Sequence, residues 1–160
     1  QLLQAGRKRI LYLYTSYSYS GVNKLEGYKD ALKAKGITPS DELIRQCPKD
    51  IEAARELLLS LHREGLEFDA VITSDDSLAV GAVKYAHIAD ISIPRDLSII
   101  GYNNSLLARC TDPEITSIDS KVEALCTTTI NTLMGVFSGV NVPSRTTIAS
   151  DLIKRKTTNF

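Results

Sequence analysis

The sequence has no surplus of charge of either sign. Its 160 residues include 19 Lys plus Arg and 19 Asp plus Glu, so the formal net charge is zero. Chains that bind nucleic acid need surplus positive charge to neutralise phosphates, and so do polybasic membrane-surface segments. No apolar run approaches the roughly 18 residues that a membrane-spanning helix needs. These absences argue against a chain that itself binds DNA or a membrane surface, or spans a membrane.

Motifs for catalysis and metal binding are also missing. The sequence contains no GxGxxG, no phosphate-binding GxxxxGK[ST] and no GxSxG. Cys47, Cys110 and Cys126 are widely spaced, and His62 and His87 lie in helical patterns without a metal-like partner. We therefore expect no enzyme activity, no metal and no cofactor, and unpaired cysteines suit a reducing cytoplasm.

The chain opens on QLLQA, which is typical of the last turn of a helix stopped by Gly6. The first ten residues carry their charges after a short apolar stretch, which is not the order of a signal peptide. Because a folded domain rarely starts with the end of a helix, we expect further chain upstream.

Short apolar strands alternate with helical patterns along the sequence. The predicted strands are Ile10–Tyr14, Glu42–Gln46, Ala70–Thr73, Leu97–Gly101, Ile115–Ile118 and Arg145–Leu152. The predicted helices are Val22–Lys35, Ile51–Arg63 (with Asp50 as N-cap), Ser77–Ala89 and Val122–Phe137. The alternation predicts an α/β fold, a parallel sheet flanked by helices on both faces.

Ligands of such folds bind at the carboxyl ends of the strands. Asp75 and Asp76 follow one strand there, and we expect one carboxylate to cap the next helix and the other to face the cleft. Asn103 and Asn104 follow the next strand and suit either a tight turn or ligand contact.

Further candidates lie at the same predicted edge. Lys24 begins a helix and is either a ligand donor or a solvated side chain, and Arg45 lies in the second strand. Tyr17 and Tyr19 precede Lys24 and either stack on a sugar ring or pack locally. The predicted ligand-binding residues are Lys24, Asp75, Asn103, Tyr17 and Arg45.

An acidic pair after a strand also resembles the phospho-acceptor pocket of a receiver domain. That fold requires a further Asp two strands on and a Lys after the last strand. The matching strand ends in GYNN, without an acid, which weakens this alternative.

Six segments resemble, in order and spacing, motifs of the lactose/galactose-repressor family of bacterial transcription regulators. AGRKRILYL resembles the family's LGHRRIAFI, KLEGYKDAL resembles RxxGYxxAL, and FDAVITSDDSLAVGAVKYA resembles DA-strand-NDxxAxGA. Further along the chain, IPRDLSIIGYNN resembles VPxDISVVGYDD, DPEITSID resembles PPLTTI, and LIKRKTT resembles LVxRxST.

The resemblance implies an effector-binding module like the type I periplasmic binding proteins, with two subdomains around a cleft. Residues 7–114 and 149–155 are expected to form the C-terminal subdomain. Residues 1–6 and 115–148 are expected to belong to the other subdomain, and the DNA-binding headpiece is absent. An effector would shift the subdomains and so control operator binding by that headpiece. A sugar-binding protein serving a transporter is the alternative with the same fold.

The resemblance also implies roles for single residues. Lys24 stands where the family has an effector-binding Arg, Asp75 where it has Asn, and Asn103 where it has Asp, while Asp76 is unchanged. The implied effector is a small molecule, a sugar or a sugar phosphate.

The resemblance finally implies a side-by-side homodimer. The positions that match the family's interface lie on the helix 77–88 and on the segment 106–111. They are Ser77, Val80, Val83, Lys84, Leu106, Leu107 and Cys110.

Overall fold

A computed structural model describes residues 1–15 and 19–160, and these form one mostly parallel sheet with helices on both faces. The strands are β1 Ile10–Tyr14, β2 Ile44–Gln46, β3 Ala70–Thr73, β4 Ser98–Tyr102, β5 Thr116–Asp119 and β6 Asp151–Ile153. The helices are α1 Tyr19–Lys33, α2 Ile51–Arg63, α3 Asp76–Ile88 and α4 Val122–Phe137. The strand order is β2-β1-β3-β4-β5-β6, and β6 alone in this sheet runs antiparallel, against β5.

Each face of the sheet carries its own core, because successive side chains of a strand point to opposite faces. Leu11 and Leu13 of β1 pack with α2 and α3, whose buried residues include Leu58 and Leu78. The alternate residues of β1 pack on the opposite face with Tyr28 and Leu32 of α1. The predicted fold class, with helices on both faces, is confirmed.

Local sequence explains the helix ends. The Asp50 carboxylate accepts a hydrogen bond from the backbone N–H of Ala53 at 2.8 Å, so the predicted N-cap of α2 is confirmed. At the other end of α2, Gly65 has a φ of 81°. The Leu66 N–H then reaches back to the Leu61 carbonyl at 3.0 Å, which is the geometry of a Schellman stop.

Several predicted boundaries differ from the structure. Helix α1 begins at Tyr19 rather than Val22, and β2 is shortened because Asp41–Leu43 forms a 3-10 turn. The last strand is Asp151–Ile153 rather than 145–152, since three residues of β5 supply its partners. No helix in the described ranges has the length and apolar character needed to cross a membrane.

The expected division into subdomains stays a prediction. Thr116–Asp119 pairs with β4, so this part of the expected 115–148 segment lies in the same sheet as the other strands. Leu2 is buried against the α1 face of the sheet, so residues 1–6 contact this sheet as well. The part that remains outside the sheet is the excursion, defined here as residues 120–150.

The excursion carries a long apolar surface. None of the α4 residues is buried, and its exposed apolar side chains include Val122, Leu125, Ile130 and Leu133. Lys121 lies just after the chain leaves the sheet, and Asp151 lies where it returns. The two side chains form an ion pair at 2.9 Å.

Two stacked tyrosines on the α1 face allow a paired test of hydrogen bonding. The Tyr28 hydroxyl donates to the Ile10 carbonyl at 2.8 Å, whereas the buried Tyr12 hydroxyl has no partner among the described residues. We expect Tyr28→Phe to lower the free energy of unfolding by about 1 kcal/mol, and Tyr12→Phe to be neutral or stabilising. Urea denaturation followed by circular dichroism measures both, and equal losses in the two variants would contradict the assignment.

Candidate functional site

Four polar side chains meet at the carboxyl ends of the strands. We call them the strand-end cluster: Lys24 from α1, Lys49 from the β2–α2 loop, Asp75 after β3 and Asn103 after β4. Two of them converge on one oxygen, because Lys49 Nζ lies 2.7 Å and Asn103 Nδ2 lies 2.9 Å from Oδ2 of Asp75. The sheet topology thus brings together three of the five predicted ligand-binding residues.

Asp75 both caps α3 and holds the cluster. Its Oδ1 accepts hydrogen bonds from the Ser77 backbone N–H at 2.9 Å and from the Ser77 hydroxyl at 2.7 Å. Burial alone opposes ionisation of this carboxyl, but the hydrogen bonds from Lys49 and Ser77 outweigh that effect and lower its pKa. Asp75 is therefore a carboxylate with all four of its good acceptor positions in use.

Lys24 lies half-buried beside this carboxylate. Its Nζ lies 3.4 Å from the Ser74 carbonyl oxygen and 3.6 Å from the centre of the Tyr102 ring, a cation–π geometry. Burial lowers the pKa of Lys24, the charge of Asp75 opposes that change, and the charge of Lys49 adds to it. The ammonium is thus held at the edge of the sheet by a ring face and a carbonyl.

Asp75 caps α3, so Asp76 is the carboxylate that we expected to face the cleft. That expectation was wrong, because Asp76 does not point into the cleft. It is 1% exposed, and its oxygens accept hydrogen bonds from the Ser105 backbone N–H at 2.7 Å and the Ser117 hydroxyl at 2.6 Å. A Cβ at Gly101 would collide with this carboxylate. Asp76 therefore links the loop after β4 to strand β5 through its two hydrogen bonds.

The paired asparagines serve as a turn and as cluster members together. Asn103 and Asn104 both have positive φ, 102° and 48°, which asparagine tolerates better than most residues. Asn103 turns its amide to Asp75, while the Asn104 amide donates to Asp119 at 3.2 Å and its oxygen accepts from Arg155. The positive φ of both asparagines confirms the turn alternative, and ligand contact stays a prediction.

The other two predicted ligand-binding residues are not brought into the cluster. Arg45 donates to the backbone carbonyls of Asp41 and Ile44, at 2.7 and 3.2 Å, and so points back toward the start of its own strand. Tyr17 lies outside the described residues. Sequence reasoning did not single out Lys49, which lies three residues after the end of β2.

The predicted dimer positions divide into buried and exposed ones. Ser77 and Val83 are buried within this chain, because Ser77 bonds to Asp75 and Val83 packs in the core with α2. Leu106 and Leu107 are 66% and 38% exposed. Val80 is half-buried, Lys84 pairs with Glu52 and Cys110 is exposed.

The chemical groups of the cluster can form hydrogen bonds to a ligand. Within residues 1–15 and 19–160, no group of three or more His, Cys, Asp or Glu side chains is placed to hold a metal ion. What the strand ends present is a set of N–H donors on two ammonium groups and one amide, arranged around a carboxylate. Such a set recognises the oxygen atoms of a small polar molecule.

The fold and this site at the strand ends define a ligand-binding module of the periplasmic-binding-protein type. A family model described as a periplasmic binding protein-like domain matches residues 1–158. A transcriptional regulator of the HTH type from Lachnoclostridium phytofermentans is 54% identical over 160 residues, covering 100% of this chain and 48% of the relative. The HTH-type regulator AscG of Escherichia coli is 30% identical over 97% of this chain and 46% of its own length.

A solved structure agrees with these sequence matches. A sugar-binding transcriptional regulator of the LacI family from Escherichia coli, complexed with phosphate, superposes with a TM-score of 0.89 at 29% identity, covering 98% of this chain and 56% of that one. The chain belongs to the LacI/GalR family of transcriptional regulators and forms part of the family's effector-binding domain. It spans about half the length of the curated relatives it matches, and those relatives are regulators rather than enzymes.

Proposed function

We propose that the strand-end cluster is one wall of an effector cleft for a sugar or sugar phosphate. The observation that carries this proposal is the convergence of Lys49 and Asn103 on one carboxylate oxygen of Asp75, with Lys24 beside it. The relative with a solved structure is described as sugar-binding, which supports the same ligand class. The second wall would come from the other subdomain, for which residues 120–148 supply one piece.

In this proposal the effector changes the angle between the two subdomains, and that change controls operator binding by a headpiece outside this chain. The HTH-type naming of the curated relatives supports a DNA-binding partner domain in the same protein. It also favours a cytoplasmic regulator over a sugar-binding protein that serves a transporter. The balance of 19 basic and 19 acidic residues fits a chain that does not itself contact DNA.

We further propose that the protein acts as a homodimer through the exposed part of the predicted interface. Leu106, Leu107 and Cys110 belong to an exposed and largely apolar segment, and the short 3-10 helix in it contacts α3, the helix that carries Val80 and Lys84. Ser77 and Val83 contribute from inside, by fixing the position of α3.

Ligand-induced stabilisation tests the proposed site. A ligand that binds the folded state stabilises it by about 2.7 kcal/mol at a hundredfold excess over its Kd. We expect one member of a panel of hexoses, disaccharides and sugar phosphates to raise the melting temperature of the full-length gene product. Lys24→Ala or Asn103→Ala should remove the shift, and Lys29→Ala, also in α1, should keep it.

The control variant Lys29→Ala distinguishes loss of ligand binding at the cluster from a general effect of removing a lysine from α1. Lys29 pairs with Glu26 on α1 and makes no contact with the cluster. A thermal shift that survives in both Lys24→Ala and Asn103→Ala would place the effector elsewhere on the protein.

A further inference from the structure

We propose that the effector of this protein carries an anionic group, a phosphate or a carboxylate on a sugar, and that Lys49 and Lys24 bind that group. The inference deepens the proposed function and rests on it, because it assigns a ligand class to the same cluster. It also adds Lys49 as a residue that determines specificity.

The first argument is the state of the carboxylates at this edge. Asp75 already accepts from Ser77 twice, from Lys49 and from Asn103. Asp76 is 1% exposed beneath the loop and bonded to Ser105 and Ser117. Neither carboxylate has a free, accessible oxygen with which to accept a hydrogen bond from a ligand hydroxyl.

The second argument is the surplus of donors. An ammonium group has three N–H donors, and Lys49 uses one on Asp75 while its side chain is 64% exposed. Lys24 uses one on the Ser74 carbonyl, at the long distance of 3.4 Å. Within the described part of the chain, Lys49 therefore keeps two N–H groups without a protein acceptor. Lys24 keeps one besides those that face the Ser74 carbonyl and the Tyr102 ring.

A neutral sugar hydroxyl is best recognised by a donor and an acceptor together, because it both donates and accepts. Phosphate and carboxylate oxygens at neutral pH need donors above all, and charge-assisted hydrogen bonds to ammonium groups are the stronger class. In the cluster the ammonium groups keep free donors and the carboxylates are saturated, and the remaining side-chain acceptor is the amide oxygen of Asn103. This balance fits the anionic group better than the neutral one.

Electrostatics at the cluster point the same way. Lys24 and Lys49 contribute two positive charges and Asp75 one negative charge, which leaves a net charge of +1 among these three side chains. Asp50, next to Lys49 in the chain, directs its carboxylate to the N-terminus of α2. Burial disfavours the charged form of Lys24, and so does the charge of Lys49. An entering anion would favour the charged form and so offset both effects.

Isothermal titration of the full-length gene product tests the proposal with four probes: inorganic phosphate, glucose 6-phosphate, glucuronate and glucose. We expect inorganic phosphate to bind, and Lys49→Gln and Lys24→Gln each to weaken that binding by about tenfold or more. Lys29→Gln removes the same charge elsewhere on α1, where Lys29 pairs with Glu26, and should leave phosphate binding unchanged. Circular dichroism checks that each variant remains folded.

The sugar probes identify the anionic group. Tighter binding of glucose 6-phosphate than of glucose and glucuronate indicates a phosphate, and tightest binding of glucuronate indicates a carboxylate. In either case the preference over glucose should disappear in Lys49→Gln.

Two results would overturn the inference. The first is that phosphate does not bind, or that it binds Lys49→Gln and Lys24→Gln as tightly as the unchanged protein. Equal binding would make phosphate an adventitious ion only. The other is a neutral sugar that stabilises the protein through Asn103 while phosphate and both anionic sugars bind no better than glucose. The second result would leave the proposed sugar-binding function intact and remove its charge selectivity, so the two failures are distinguishable.

Discussion

Replacing Asp76 by alanine is expected to lower the free energy of unfolding by about 3 to 5 kcal/mol, since hydrogen bonds to a charged group contribute about 1.5 to 3 kcal/mol each. The carboxylate is 1% exposed and accepts from Ser105 at 2.7 Å and Ser117 at 2.6 Å. Ser117 is itself fully buried, so its hydroxyl would lose its acceptor where water cannot replace it. Urea denaturation followed by circular dichroism measures the loss.

Asp30→Ala is the matched control for this prediction. The Asp30 side chain is 72% exposed, and its nearest cation, Lys33, lies 3.9 Å away. Alanine is also the best helix former, so the control should leave stability nearly unchanged. A loss at Asp76 no larger than that at Asp30 would show that the loop after β4 does not depend on this link.

Gly81→Ala is expected to destabilise the protein by about 3 kcal/mol, the upper range for overpacking a well-packed core. Gly81 lies where α3 crosses α2. A Cβ there would lie 2.6 Å from both the Ala54 Cβ and the Ile51 carbonyl oxygen, and 3.1 Å from the Arg55 nitrogen. Backbone atoms of a packed helix cannot move aside as a flexible side chain can, so the two helices must separate. Differential scanning calorimetry measures the drop in melting temperature.

The same substitution in α1 should have the opposite sign. Gly27 lies inside α1, and a Cβ there meets nothing within 4 Å. Gly27→Ala is therefore expected to stabilise the protein by about 0.8 to 1 kcal/mol, because glycine is a poor helix former. Equal effects at the two glycines would mean that helix propensity, rather than the crossing of α2 and α3, governs Gly81.

Much of the fold could be predicted from the sequence, because short apolar runs and helical periodicity report directly on which side chains are buried. The boundaries of β1, α2, β3 and α4 agree with the predicted ones. One error lies where strand pairing decides the outcome. The length of β6 depends on which residues of β5 it pairs with. The composition of residues 145–152 does not predict that register.

The site was predictable in place but not in detail. Parallel strands put their carboxyl ends at one edge, so Asp75 and Asn103 could be assigned to it from the sequence. Nothing in the dipeptide Asp75-Asp76 shows which carboxylate faces the cleft, since that depends on the space left by Gly101 and on the hydroxyl of Ser117. Lys49 was missed because a lysine in a polar loop carries no local signal of the carboxylate it will meet.

The antiparallel pairing of β5 with β6 has a mechanical consequence for the excursion. The chain leaves the sheet after Asp119 and returns at Asp151, and these two residues are paired neighbours in the ladder. The excursion is thus attached by two tethers fixed side by side and joined by the Lys121–Asp151 ion pair. A body held in this way swings about the line through its two attachments but resists twisting around a single strand. The Asn103 N–H donates to the Ile118 carbonyl at 2.8 Å, beside that line. If the proposed ligand binds at Asn103, its effect on the excursion would therefore be a rotation in one plane.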